Sequence, residues 1–221
     1  MHKVKAKGIL SAANGMNIYR GCQHGCIYCD ARSKCYQMNH RFEDIEVKEN
    51  APELLENALK RKRRKCMIGT GAMSDPYIPL EKELKLTRRC LEIINRYGFG
   101  VTVQTKSASV MRDIDLFTKI NDKSKAVLQM TLTTADESLC RIENRVRKGG
   151  HDIPKEDVHR RYSIRFQSLN AVIPHCDEVI FYDNENGFVK VAEIKNDIFR
   201  YTNGYRPKWL SEFEGLIESK L

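Results

Sequence analysis

The sequence predicts an α/β fold: parallel βα units over residues 1–143, followed by a small α+β segment over 144–221. Three observations carry this. Apolar beats of strand length recur at Met16–Tyr19, Cys66–Thr70, Phe99–Thr105 and Ala126–Thr133. Between them, Leu54–Leu59, Leu84–Tyr97 and Asp113–Ile120 place apolar residues at helical spacing. Strands alternating with helices give parallel pairs with right-handed crossovers, whose strand ends form one working face. Ligands of such sheets gather outside the carboxyl ends of the strands. The loops after Tyr19, Thr70, Thr105 and Thr133 are therefore expected to point at one pocket.

Taken in order, Lys3–Leu10 reads as a basic lead-in, and Met16–Tyr19 as a strand delivering a cysteine-rich loop. Cys35–Val47 has no clean period and is expected to be irregular. Asn50 precedes Pro52 at a helix start, and Leu54, Leu55, Ala58 and Leu59 form one apolar stripe before the run Lys60–Lys65. Cys66–Thr70 is a buried strand. Leu84–Tyr97 is a helix with Cys90, Leu91, Ile93 and Ile94 on its apolar face and Gly98 as its stop. Phe99–Thr105 and Ala126–Thr133 are further strands, with the amphipathic Asp113–Ile120 between them and a helix start at Thr134–Glu137. In the last part, Pro154 opens a helix to about Ile173. Glu178–Tyr182 and Phe188–Ile194 form a hairpin about Asn186 and Gly187, and Trp209–Leu221 closes the chain as a helix.

With 221 residues the chain is long enough for one or two domains with a sizeable core. Eight cysteines without a secretory signal predict a reducing, cytoplasmic setting, and no stretch approaches a membrane span. The positive charge is uneven: residues 1–143 carry 25 Lys and Arg against 17 Asp and Glu, whereas 144–221 carry 13 against 12. Such a bias suits a nucleic-acid or other polyanionic partner. The densest patch, Lys60–Lys65, equally suits the carbonyl end of a helix, where solvated cations complement the dipole.

The chemistry centres on residues 16–32. Cys22, Cys26 and Cys29 stand at C-x3-C-x2-C spacing within one short loop. Three thiolates are one fewer than a closed four-cysteine site needs, so a cubane iron-sulfur cluster here keeps one iron without a protein ligand. Gly21 and Gly25 let the loop curl, and Tyr28 puts an aromatic ring beside the third cysteine. The alternative is a zinc site with Cys35 as fourth ligand and His24 or His40 in reserve, which would make the chain a non-catalytic metal or nucleic-acid binding module. Cys66, Cys90, Cys140 and Cys176 are isolated and read as core or bystander residues.

This loop resembles that of the radical S-adenosylmethionine superfamily, and Gly15–Cys22, Cys29–Arg32, Asn50–Leu55 and Gly69–Tyr77 resemble its branch related to spore photoproduct lyase. The resemblance covers about Gly8 to Glu143. It implies a partial parallel (βα) barrel, truncated after about four of the family's six units. It also implies a 4Fe-4S cluster on Cys22, Cys26 and Cys29, S-adenosylmethionine on the open iron, reductive cleavage to a 5'-deoxyadenosyl radical, and an electron donor such as flavodoxin or ferredoxin. The cofactor contacts it implies are Tyr28, Thr70, Ser74 and Asp75, then Lys106, Thr131 and Thr133 on later strands; the substrate it suggests is nucleic acid.

Beyond Glu143, residues 144–194 resemble the lid and C-terminal part of zeta-toxin-like P-loop kinases, through Asn144–Pro154, Val158–Tyr162 and Tyr182–Asn184. No G-x-x-x-x-G-K-[ST] phosphate cradle occurs in the chain. Arg145, Arg147, Arg160 and Arg161 are either a vestigial phosphate clamp or a solvated helix face. The chain thus reads as two partial families joined near Glu143–Arg145, with an impaired, lyase-like enzyme or an inactive remnant as the outcomes.

Overall fold

A computed structural model describes residues 1–24, 29–32, 38–130, 166–184 and 187–217. Its centre is a four-stranded, all-parallel sheet in the order β2 (Gly15–Met16), β5 (Met67–Thr70), β6 (Gly100–Thr105) and β7 (Ala126–Met130). Ile68 pairs with Val101, and Val101 with Ala126, so the register runs straight across the sheet. The intervening helices are α1 (Ala51–Arg61), the short α2 (Glu81–Leu84), α3 (Leu86–Tyr97) and α4 (Ile114–Lys123). Leu55 and Leu59 of α1, Leu91 and Ile94 of α3, and Phe117 and Ile120 of α4 join Ile68, Val101 and Val103 in one buried cluster. The expected apolar stripes are the ones buried. Gly98 caps α3 at φ +64°, as its position predicts.

Three stretches differ from the sequence expectation. The beat Met16–Tyr19 is not one strand: Met16 pairs with Thr70, while β3 (Tyr19–Arg20) leaves for a second sheet. There, β1 (His2–Val4) lies parallel to β4 (Glu46–Lys48), and β3 runs antiparallel to β4. The basic lead-in and the end of the aperiodic stretch thus become strands, because each finds its hydrogen-bonding partner far away in the chain. Asn50 stands at the N-cap of α1 just before Pro52, as expected, and its side chain, rather than capping the helix, donates through its amide N–H to the Ala6 carbonyl and accepts through its amide oxygen from the Ala6 N–H, both at 2.9 Å, tying the lead-in to the helix.

The C-terminal part holds a separate antiparallel sheet in the order β10-β9-β8. The hairpin of β8 (Glu178–Asp183) and β9 (Val189–Lys195) is extended by a third strand the sequence reading lacked, β10 (Ile198–Tyr201). Its turn is made by Asn196 and Asp197, both at positive φ, a conformation these residue types tolerate. Phe181, Val191 and Ile194 pack against Leu210 and Phe213 of α5 (Lys208–Ile217) and Phe166 of a helical segment over 166–172. Val172 belongs to the cluster of the parallel sheet, and the Asn121 side-chain amide donates to Asp177 at 2.9 Å. The expected junction near Glu143–Arg145, the helix start at Thr134 and the phosphate-clamp arginines lie outside the described residues.

An ionic cluster joins the segment after β5 to the segment after β6. Glu81 and Asp113 are both essentially inaccessible to solvent. Arg112 donates to Glu81 at 2.8 Å and to Asp113 at 2.7 Å, and Arg88 donates to Asp113 at 3.0 Å. Tyr19 donates to Glu81, Tyr77 donates to Asp113 at 3.0 Å, and the Thr87 N–H at the start of α3 meets both Glu81 oxygens at 3.1 Å. Burial, reinforced by the adjacent carboxylates, pushes the Tyr19 and Tyr77 phenols well above the ordinary tyrosine range.

Arg112→Met strips Glu81 of its cation and is expected to lower the unfolding free energy by about 3 kcal/mol, read by urea denaturation; an unchanged midpoint would refute this. The two tyrosines also set a pH dependence. Unfolded phenols ionise near about pH 10 while the folded ones stay protonated, so their contribution is complete below that pH and declines above it. Between about pH 9 and about pH 11 the parent should lose more stability than the double variant Tyr19→Phe, Tyr77→Phe. Equal slopes in the two proteins would count against the assignment.

Candidate metal and cofactor site

The cysteine loop begins where β3 ends, and its two described ends dock on the same short stretch before β4. At the near end, Gly21 adopts φ +97°, and a Cβ there would collide with the Phe42 carbonyl oxygen. The Cys22 N–H donates to that same oxygen at 3.3 Å. Only glycine allows this approach. At the far end, the Arg32 N–H donates to the Cys29 carbonyl at 3.1 Å, within a 3-10 turn over Asp30–Arg32. The Arg32 guanidinium lies 4.4 Å above the Phe42 ring and donates to Glu43 at 2.6 Å, which holds the Glu43 carboxyl below its usual range. Cys22 is buried, and its sulfur accepts from the His24 N–H at 3.4 Å.

The opposite wall is the loop after β5. Thr70, the last residue of that strand, is buried, and Gly71 turns the chain at φ +102°, where a Cβ would run into the Gln104 carbonyl of β6. Asp75 is the hub. One of its oxygens accepts from the Tyr77 N–H at 2.8 Å and from the Thr105 hydroxyl at 2.7 Å; the other accepts from the Lys106 N–H at 2.8 Å. His24 Nε2 stands 3.4 Å from that second oxygen. A single carboxylate thus holds the loop after β5 and the end of β6 together, with His24 Nε2 of the cysteine loop beside it and without a hydrogen bond among the described residues.

Of the residues expected at the site, Cys22, Cys29, Thr70, Ser74, Asp75 and Lys106 fall within the described part, and all lie in these strand-end segments. Cys26, Tyr28, Thr131 and Thr133, with Cys35 of the zinc alternative, lie outside it. Ser74 is buried, and its hydroxyl has no hydrogen-bond partner among the described residues. Such an orphaned group, next to a carboxylate already engaged by the protein, suits a polar ligand rather than a packed core. Cys90 is fully buried against Leu91 and Ile94, and burial pushes its thiol up, in keeping with a core residue. The sequence reading missed His24 as a partner of Asp75 and Phe42 as the dock of the loop. No spacing signal links residues so far apart.

The chain matches the radical SAM superfamily over residues 16–160, a span that extends past Glu143. An uncharacterized protein of Methanocaldococcus jannaschii is 39% identical over 127 residues, covering 54% of this chain and 47% of that protein. Uncharacterized proteins of Mycobacterium bovis and Mycobacterium tuberculosis are 26% identical over 152 residues, covering 64% of this chain and 43% of theirs. The chain therefore spans about half the length of the curated relatives it matches. No solved structure matches it. Family match, parallel sheet and strand-end site agree, and the chain belongs to the radical SAM superfamily.

Proposed function

We propose that this chain binds a 4Fe-4S cluster through Cys22, Cys26 and Cys29 and S-adenosylmethionine beside it, as a radical enzyme related to the spore photoproduct lyase branch. The observation that carries this reading is the Asp75 hub, which brings the cysteine loop within 3.4 Å of the strand-end loops through His24. When bound, the cluster and S-adenosylmethionine supply one-electron cleavage of a sulfonium to methionine and a 5'-deoxyadenosyl radical.

The chain's own residues have separable tasks. Cys22 and Cys29 would serve as ligands from a loop whose described ends are tied to Phe42 and Glu43. Asp75 spends its oxygens on Tyr77, Thr105 and Lys106 and acts as a positioning residue that sets the floor of the site. The Ser74 hydroxyl is available to a polar group of the cofactor. Thr70 and Lys106, at the ends of adjacent strands, complete the described wall, with Thr131 and Thr133 assigned to its continuation. The basic excess of residues 1–143 supports a nucleic-acid substrate, and the reaction requires an electron donor such as flavodoxin or ferredoxin in a reducing cytoplasmic setting.

Anaerobic reconstitution should give about four irons and four sulfides per chain. Single replacement of Cys22, Cys26 or Cys29 by Ala should remove them, while Cys35→Ala should not. Reduction with dithionite in the presence of S-adenosylmethionine should then release 5'-deoxyadenosine, detected by chromatography. Zinc retained in place of iron and lost on Cys35→Ala would overturn the cluster reading; no nucleoside above a protein-free blank would overturn the cofactor reading.

The two roles assigned to the loop after β5 separate in a pair of variants. Ser74→Ala should leave stability within about 0.5 kcal/mol of the parent but weaken S-adenosylmethionine binding by the reconstituted protein in equilibrium dialysis. Asp75→Asn removes an acceptor from the hub and should cost about 1–3 kcal/mol of stability as well as binding. Unchanged binding in Ser74→Ala would remove that residue from the site.

A further inference from the structure

On the sheet formed by β1, β4 and β3, a second group of ligating side chains gathers outside the site proposed above. His2, His40 and Asp44 each offer a donor atom, and the three atoms lie within 4.8 Å of one another. His2 Nδ1 is 3.0 Å from Asp44 Oδ2, and the His2 and His40 rings meet edge to face at 4.9 Å. His40 is largely buried, and its Nε2 has no hydrogen-bond partner among the described residues; Glu46 Oε2 is 3.8 Å away. His40 Nδ1 lies 3.0 Å from the Arg41 carbonyl oxygen. If that nitrogen carries the proton and donates there, Nε2 presents a lone pair, the tautomer a metal-ligating imidazole needs.

We propose that His2, His40 and Asp44 form a zinc site distinct from the cysteine loop, with Glu46 beside it. Two imidazoles and a carboxylate are a borderline-soft donor set that suits zinc and disfavours magnesium or calcium, which take oxygen ligands. Zinc binds nitrogen and oxygen at about 2.0–2.2 Å, so a tetrahedral ion draws its ligands to about 3.4 Å from one another. The His2–Asp44 pair is already closer than that, and His40 needs only a small side-chain shift to join it. The fourth position is left to water or to a turned Glu46. His2 and Glu46 are register partners in the parallel pair β1 and β4, so both stand on one face of the sheet.

The placement gives the ion a task. His2 belongs to the first strand, whereas His40 and Asp44 flank Phe42, whose carbonyl receives the Cys22 N–H and whose ring receives Arg32. An ion held here fixes the stretch on which both described ends of the cysteine loop rest. Without it, the described polar links between these segments include the Met1 amine and His2, both at 3.0 Å from Asp44, and the His2 N–H donating to the Ile45 carbonyl at 3.0 Å.

The test uses the full chain without an affinity tag, in two forms: reconstituted with iron and sulfide, and carrying Cys22→Ser, Cys26→Ser and Cys29→Ser together. Each is loaded with zinc alone, desalted, and assayed for zinc by mass spectrometry and for affinity by calorimetry. About one zinc per chain is expected in both forms, with affinity falling at least about tenfold in His2→Ala and in His40→Ala. Cobalt in the triple-serine form should give d–d bands without sulfur charge transfer. His2→Ala changes a half-exposed side chain of the first strand and guards against misfolding of His40→Ala; circular dichroism checks both. Zinc absent from the triple-serine chain, or retained equally by His2→Ala, overturns the proposal. Failure of iron to load in the first form bears only on the cluster reading, because the second form contains none of its ligands.

Discussion

Two carboxylates without solvent, Glu81 and Asp113, constrain everything at the carboxyl end of the parallel sheet. Taking an ion out of water costs several kcal/mol unless partners replace the solvent, and here five partners come from four places in the chain. Arg112 and Arg88 supply charge, Tyr19 and Tyr77 supply hydroxyls, and Thr87 supplies an N–H from the first turn of α3. Each partner is fixed by satisfying them, so β3, the loop after β5, α3 and the 3-10 turn before α4 have one mutual arrangement. Hydrophobic packing of Leu91, Ile94 and Phe117 against the sheet supplies bulk stabilisation, but it is non-directional. The ionic cluster is what aims the loops.

On that base the cysteine loop is held from two sides. Phe42 and Glu43, just before β4, grip its described ends, and Asp75 of the loop after β5 lies 3.4 Å from His24. A three-cysteine loop free to collapse on itself would be a poor template for a cluster with one open iron. Its two described ends are tied through backbone groups and the Arg32 side chain, an arrangement that keeps reorganisation on binding small. Tyr19 connects the two levels, since its backbone pairs with Val47 in the small sheet and its hydroxyl reaches Glu81.

The C-terminal sheet stands apart from the parallel one in hydrogen bonding. Its three antiparallel strands pack on α5 through Phe181 and Phe213, whose rings are 5.5 Å apart, and it leaves Tyr182 and Phe188 stacked and exposed on its other side. Contacts at Val172 and Asn121 tie it to the core around α4. Whatever the other half of the longer relatives adds, the described residues supply both ends of the cysteine loop, two of the strand-end loops and the sheet that positions them.

The sequence by itself determined the class of the fold and the helices and marked the cysteine loop, because each rests on local pattern. Apolar spacing in Leu54–Leu59 and Leu86–Ile94 commits those segments to one buried face, Gly98 must end α3, and three cysteines within eight residues can reach one centre. Tertiary structure alone decided the rest. The basic stretch at His2–Val4 is a strand only because Glu46–Lys48 offers a partner, and Met16–Tyr19 divides between two sheets because Tyr19 has a buried carboxylate to reach. The Asp75–His24 contact and the gathering of His2, His40 and Asp44 are likewise invisible to spacing. Hydrogen bonds and charge pairs between distant segments carry no period along the chain; they exist only once the sheets have brought their donors and acceptors within reach.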